Sequence, residues 1–133
     1  MKHHPYFEDL IKRVCTEAGI EDAGAVLNDG ILLINGLDVA ITHEPGIGCV
    51  AIRVIVGTIP PMVRAATLTA MLEWNTNSSA DHLALVDGEI AVMRSLIPLS
   101  AIDMQSVCDL LMDEVERMQD QWEQLTDRVC TVH

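Results

Sequence analysis

Two dipeptides, Asn35-Gly36 and Asp87-Gly88, each stand between stretches of strand-forming residues, and they constrain the fold more than any other feature of the chain. Both pairs favour the tight turn whose twist matches that of its flanking strands, so each predicts an antiparallel hairpin. The first would join Gly30–Asn35, carrying Ile31 to Ile34, to Leu37–His43, where Leu37, Val39 and Ile41 alternate with Asp38, Ala40 and Thr42. The second would join His82–Val86 to Glu89–Leu96. Between them Glu44-Pro45-Gly46 closes one strand, and Cys49–Ile59 is dense enough in β-branched residues to predict a central strand. Ile59-Pro60-Pro61 stops the sheet and gives the next element a rigid start.

Outside the hairpins the apolar period changes to that of a helix. From Pro5 to about Ala18, the residues Tyr6, Phe7, Leu10, Ile11, Val14 and Ala18 recur at three- and four-residue steps, and Gly19 suits the end. That stripe is wide enough to dock on a sheet and still leave apolar side chains facing out. Asn28-Asp29-Gly30 reads as a turn, Asn75–Ala80 as a polar loop, and Met62–Trp74 as a helix whose only charges are Arg64 and Glu73. So little charge predicts cover on more than one side.

The last helix would start at Ser100, an N-cap with Asp103 three residues on. From Leu111 its apolar residues Leu111, Val115, Met118, Trp122, Leu125 and Val129 alternate at steps of four and three. Such spacing fits an ordinary core stripe, or a distal half packed on a second helix from a partner subunit. The order is α-β-β-β-α-β-β-α, an α+β single domain over residues 1–133, core about 5–127, with a five-stranded antiparallel sheet packed against helices.

Charge limits the partners. Twenty acidic residues against 8 Lys+Arg give a net charge of −12, which repels phosphate backbones and anionic head groups, so neither nucleic acid nor membrane is an expected partner. Eight acidic and two basic residues lie between Asp103 and Arg128, the makings of a solvated face. Residues 1–10 lack the apolar segment of an export signal, and no apolar run approaches the roughly 20 residues of a membrane span. Cys15, Cys49, Cys108 and Cys130 are scattered without metal-ligand spacing. A reduced, cytoplasmic protein with free thiols is the expectation.

Catalytic patterns are weak. His3, His4, His43, His82 and His133 form no helical metal pair, and His3 could take up copper or nickel only incidentally, as part of a polar tail. His43 and Glu44 are neighbours in a strand and would point to opposite faces. Cys15, Cys49 and Cys108 read as small core hydrophobes, with Cys130 the reactive thiol. Asp109, Asp113, Glu116 and Asp120 share a helical face, where like charges repel weakly in water. Gly46-Ile47-Gly48 is a loop and not a phosphate cradle. No enzyme, metal or cofactor is expected.

The order of elements and several short strings resemble the type III secretion chaperones of the CesT/Tir-chaperone family, from Phe7 to about Gln124. They are the first helix with Phe7, Leu10 and Ile11, the hairpin Asp29–Thr42 and the strand end Gly57-Thr58-Ile59-Pro60. Met71-Leu72-Glu73-Trp74-Asn75 is similar to the family's LLxAN string, departing from it at Trp74, where a small residue is commoner. His82–Val86 and Ser95–Leu99 match the closing hairpin and the approach to the last helix.

The resemblance implies a non-enzymatic homodimer that holds an extended N-terminal segment of a secreted effector, keeps it soluble and helps bring it to the export apparatus. It implies that Phe7, Leu10, Ile11 and Val14 help form apolar grooves, with Leu33, Val39, Ile41, Ile52 and Val54 behind or beside them. Leu10→Asp with Ile11→Asp would then abolish capture without unfolding the chain. The dimer contact would draw on Met62, Ala66, Ala70 and Trp74 and on the second hairpin through Leu83, Leu85, Ile90 and Val92. Two other readings stay open: a small dimeric adaptor or regulatory protein binding a folded partner, and a hydrolase or thiol enzyme centred on Cys130 or His43.

Overall fold

The computed structural model describes residues 5–34, 36–78 and 81–132, except the side chains of Asn28, Thr131 and Val132. His3, His4, Asn35, Ala80 and His133 therefore lie outside the described residues. The elements run α1 (Pro5–Ala18), α2 (Ala23–Asp29), β1 (Ile31–Ile34), β2 (Leu37–Glu44), β3 (Cys49–Thr58), α3 (Arg64–Asn77), β4 (Asp81–Val86), β5 (Ile90–Pro98) and α4 (Val107–Val132). Short 3-10 turns at Pro61–Val63 and Leu99–Ala101 lead into α3 and towards α4.

The five strands form one antiparallel sheet in the order β1-β2-β3-β5-β4, as the two hairpins and the central strand imply. Asp87 and Gly88 both take positive φ, 54° and 75°, and the turn closes through the Glu89 N–H to the Val86 carbonyl at 3.3 Å. At the other hairpin Gly36 has φ 77°.

Strand alternation gives the sheet two unlike faces. Leu32, Ile34, Val39, Ile41, Val50, Ile52, Val54, Leu83 and Met93 turn to the helix-covered face and are buried. On that face Phe7 of α1 stacks on His43 with ring centroids 5.6 Å apart. The whole α4 stripe, Val107, Leu111, Val115, Met118, Trp122, Leu125 and Val129, is buried there as well. Arg117 pairs with Asp81 at the start of β4 and with Glu114 one turn back, tying α4 to the sheet. Asp81 is almost fully buried, so this ion pair satisfies a charge that would otherwise be costly. The pairing holds the Arg117 guanidinium well above its ordinary pKa, chiefly through the hydrogen bond to Asp81.

Three expectations change, and one of two open readings is narrowed. Asn28-Asp29-Gly30 is the end of α2, and not a free turn. Asp22 accepts from the Ala25 N–H at 3.0 Å at its start, and Gly30 at φ 71° closes it with an N–H to the Val26 carbonyl at 2.6 Å. Ser100 is no N-cap: it lies in a 3-10 turn, and the longer helix begins only at Val107, after Asp103 accepts from the Gln105 N–H at 3.0 Å. The second helix against the distal half of α4 is α3 of the same chain, so no partner subunit is needed to explain the alternating stripe. Asn75 to Asn77, expected in a loop, complete α3.

Trp122 can bring the Nε1 edge of its indole close to β3 because Gly57 leaves room, at a break in register between Ile55 and Gly57. A Cβ at Gly57 would come 2.4 Å from the indole Nε1. Gly57→Ala should therefore cost about 1–3 kcal/mol through displacement of the indole. In a Trp122→Leu background the same change should cost much less, as a urea-unfolding double-mutant cycle would read.

Candidate functional site

The two edges of the sheet are treated differently. β4, one edge, has its backbone at Leu83 satisfied by a side chain: Asn75 Nδ2 donates to the Leu83 carbonyl at 2.9 Å, and its Oδ1 accepts from the Leu83 N–H at 2.7 Å. Asn75 thus fits α3 against that edge as a strand would. β1, the other edge, pairs only with β2 among the described residues. Its outward-facing side chains are apolar, with Ile31 53% and Leu33 65% exposed, and it carries no charge.

Beside this edge runs a groove of about 360 Å³ between the end of α1, β1 and the start of α4. Val14, Leu33, Leu111 and Met112 give it apolar walls, and Glu17 and Asp109 stand on its rim. Cys108 also lines it, with its Sγ 4.0 Å from the Val14 carbonyl. Burial, then a hydrogen bond to Glu17, pushes the Cys108 thiol up to about 11. The same hydrogen bond, followed by that from Arg13 at 2.7 Å, holds the Glu17 carboxyl below its ordinary value. Cys108 is thus a protonated wall of the groove, unsuited to act as a nucleophile at neutral pH.

The residues expected to bind a partner divide sharply. Leu33 presents its side chain to solvent at the edge and groove. Phe7, Leu10 and Ile11, with Val39, Ile41, Ile52 and Val54, are buried within the chain's own core, and Val14, also buried, forms part of the groove wall. Leu10 is 1% and Ile11 0% exposed, so Asp at those positions would place a carboxylate in the core and break the fold. That pair of substitutions is a test of folding and not of capture. Ile31 and Met112 are exposed apolar neighbours of the same edge and groove that residue type and spacing did not single out, because β1 is apolar at all four positions and only its burial alternates.

The eight residues expected at a dimer contact are not on one surface. Met62, Ala66 and Ala70 of the α3 region line a second groove, of about 660 Å³, together with Val63, Ala65 and Val129. Met62, in the 3-10 turn before α3, is 97% exposed and Leu72 of α3 is also largely exposed, while Trp74 is half-buried against the core. Leu83 and Leu85 turn to the helix-covered face, whereas Ile90 and Val92 turn to the opposite one.

His43, stacked on Phe7, and Glu44, which accepts from Arg53, do lie on opposite faces of β2. Cys130 is exposed and Cys15 is buried, its thiol pushed up by burial and then by Asp22. Among the described residues no group of three or more His, Cys, Asp and Glu could hold a metal ion, and no helix is long and apolar enough to cross a membrane.

An α+β domain with this sheet order and these helices is the fold of the type III secretion chaperones. Solved structures place it there. A chain of the HopA1–SchA chaperone–effector complex matches with TM-score 0.61 at 10% identity, over 90% of this chain and 94% of that one. A chain from the complex of the Yersinia pestis type III secretion chaperone SycH with a YscM2 fragment matches with TM-score 0.61 at 16% identity, over 90% and 98%. One from the ExsC–ExsE complex gives 0.59 at 12% identity, over 90% and 96%. No family model and no curated protein sequence matches the chain.

The raised thiols make stability depend on pH. The folded chain keeps a proton on Cys108 that an unfolded one, with an ordinary thiol of 9.0, gives up first. Stability is therefore full below about pH 9 and falls as pH rises through about 11. Urea midpoints measured across that window should drop for the natural chain and drop less for Cys108→Ser, which keeps a donor for Glu17 without titrating.

Proposed function

We propose that the protein is a cytoplasmic, non-enzymatic type III secretion chaperone that captures an extended N-terminal segment of a secreted effector. The observation that carries this reading is the bare, uncharged β1 edge, with Ile31 and Leu33 exposed beside an apolar groove. An extended segment can add to such an edge through backbone hydrogen bonds and send alternate side chains into pockets, which suits a client kept unfolded. Each Leu- or Ile-sized anchor buried there contributes roughly 1.5–3 kcal/mol before the cost of ordering the segment. The fold shared with chains of chaperone–effector complexes supports the same reading. Delivery of the bound effector to the export apparatus would follow from it.

Two copies would double the number of anchors and help offset the ordering entropy of a long segment. The α3 groove, with Met62, Ala66 and Ala70 and with Leu72 nearby, is the surface that best fits self-association. Its apolar lining carries only Glu73 and Arg128 as charges, so two strongly acidic chains could meet there with little local repulsion.

Both parts can be tested with substitutions at exposed positions. The protein purified from its own host should carry a larger protein protected over a segment near its N-terminus. Leu33→Asp should lose that protein with an unchanged melting temperature, and a folded partner retained by the variant would favour the adaptor reading instead. Separately, sedimentation of the natural chain should give twice 14.6 kDa, and Met62→Asp with Leu72→Asp should give the single mass.

A further inference from the structure

The sheet face opposite the helices holds a feature that the capture of a segment at β1 does not use. Strand register places Arg53 of β3 directly opposite Arg94 of β5, on the two innermost positions of that face. Like charges directly opposite one another destabilise a sheet unless something compensates. The compensation present is thin. Glu44 Oε1 lies 3.5 Å from Arg53 and 3.7 Å from Arg94, both longer than a good charge-assisted bond of about 2.7–2.9 Å. Arg53 also donates to Thr42 Oγ1 at 3.1 Å, while Arg94 Nε is buried with no acceptor. Two guanidinium forks therefore share one distant carboxylate, on a chain whose net charge is −12.

The surroundings are mostly apolar, with His82 directly opposite Arg94 on β4 and Asp38 opposite Leu33 on β2 as the polar exceptions. Ile31 and Ala40 continue the arginine row towards β1. The next row carries Ile55, Val92 and Ala84, and Ile55 and Val86 are exposed. We propose that this face docks an acidic segment of a partner protein, whose carboxylate is gripped by Arg53 and Arg94 while its apolar side chains cover Ile55 and Val92. Charge complementarity selects the occupant: planar guanidinium forks match a carboxylate in shape as well as in sign. A second copy of this chain is better met at the α3 groove, whose lining carries only Glu73 and Arg128 as charges. A short segment feels the field of the chain's net charge only within a Debye length of about 8 Å, where the local arginines dominate.

The experiment uses the full chain and two synthetic fluorescent peptides of about ten residues, one alternating valine with glutamate and one alternating valine with glutamine. Long-range repulsion disfavours the glutamate peptide, so a preference for it can arise only from a local positive site. Fluorescence anisotropy at physiological salt should show the glutamate peptide binding at least tenfold more tightly. Arg53→Gln with Arg94→Gln should erase that preference, and Glu44→Gln, which releases both guanidiniums from their own carboxylate, should strengthen it several-fold. The Glu44 variant keeps the test decisive if the double arginine variant fails to fold. Equal binding of the two peptides, a preference that survives loss of both arginines, or one unaltered by Glu44→Gln would overturn the proposal. So would a double arginine variant that turns a dimer into a monomer, because the occupant would then be a second copy.

Discussion

The seat of α4 on the sheet is the interaction on which the rest of the structure depends. Seven side chains from Val107 to Val129 are buried along one stripe, each contributing roughly 1.5–3 kcal/mol on burial. The Arg117 pair with Asp81 fixes the helix against β4, and the missing Cβ of Gly57 lets Trp122 approach β3. With α4 in place, α1 is held beside it on the same face of the sheet, through the Tyr6 hydroxyl to the Ile102 carbonyl at 2.8 Å and the Cys108 contact with Val14. The groove beside β1 is the gap left where α1 ends and α4 begins.

Much of this was legible in the sequence because it rests on local chemistry. The hairpin dipeptides, the alternation along β2, the β-branched density of β3 and the proline stop each act within a few residues, and the sheet is built from them. α2 escaped because its signals are those of a turn: Asp22 and Gly30 are ordinary turn formers, and seven residues are too few to show a helical period. The start of α4 is obscured for a related reason, since Ser100 and Asp103 have the spacing of a cap whether or not the backbone winds between them.

The candidate site was less legible, because residue type does not separate a core anchor from a binding anchor. Phe7, Leu10 and Ile11 look the same whether they face a client or the chain's own core, and they are buried in the core, while Val14 also lines the groove beside β1. Exposure of Ile31 and Leu33 follows from period-two alternation at an edge, but which strand would be the edge required the order of all five. The Arg53–Arg94 pair was hidden more deeply. Forty residues of chain separate the two, and only the register of β3 against β5 makes them neighbours.

The unequal edges make the strongest physical case for a binding role. An exposed strand with apolar side chains and no charge invites unwanted pairing with other chains, and proteins ordinarily shorten, charge or cover such edges. This chain covers β4, spending the amide of Asn75 on both backbone groups of Leu83. Among the described residues the same device is not applied at β1, although the chain has acidic residues in abundance with which to guard it. β1 is instead kept to four residues, long enough to accept a short stretch of extended backbone and too short to template a long one. An edge guarded on one side and left open on the other is what a protein that pairs with a selected segment requires. The acidic exterior of α4 then keeps the molecule dispersed while that edge stays available.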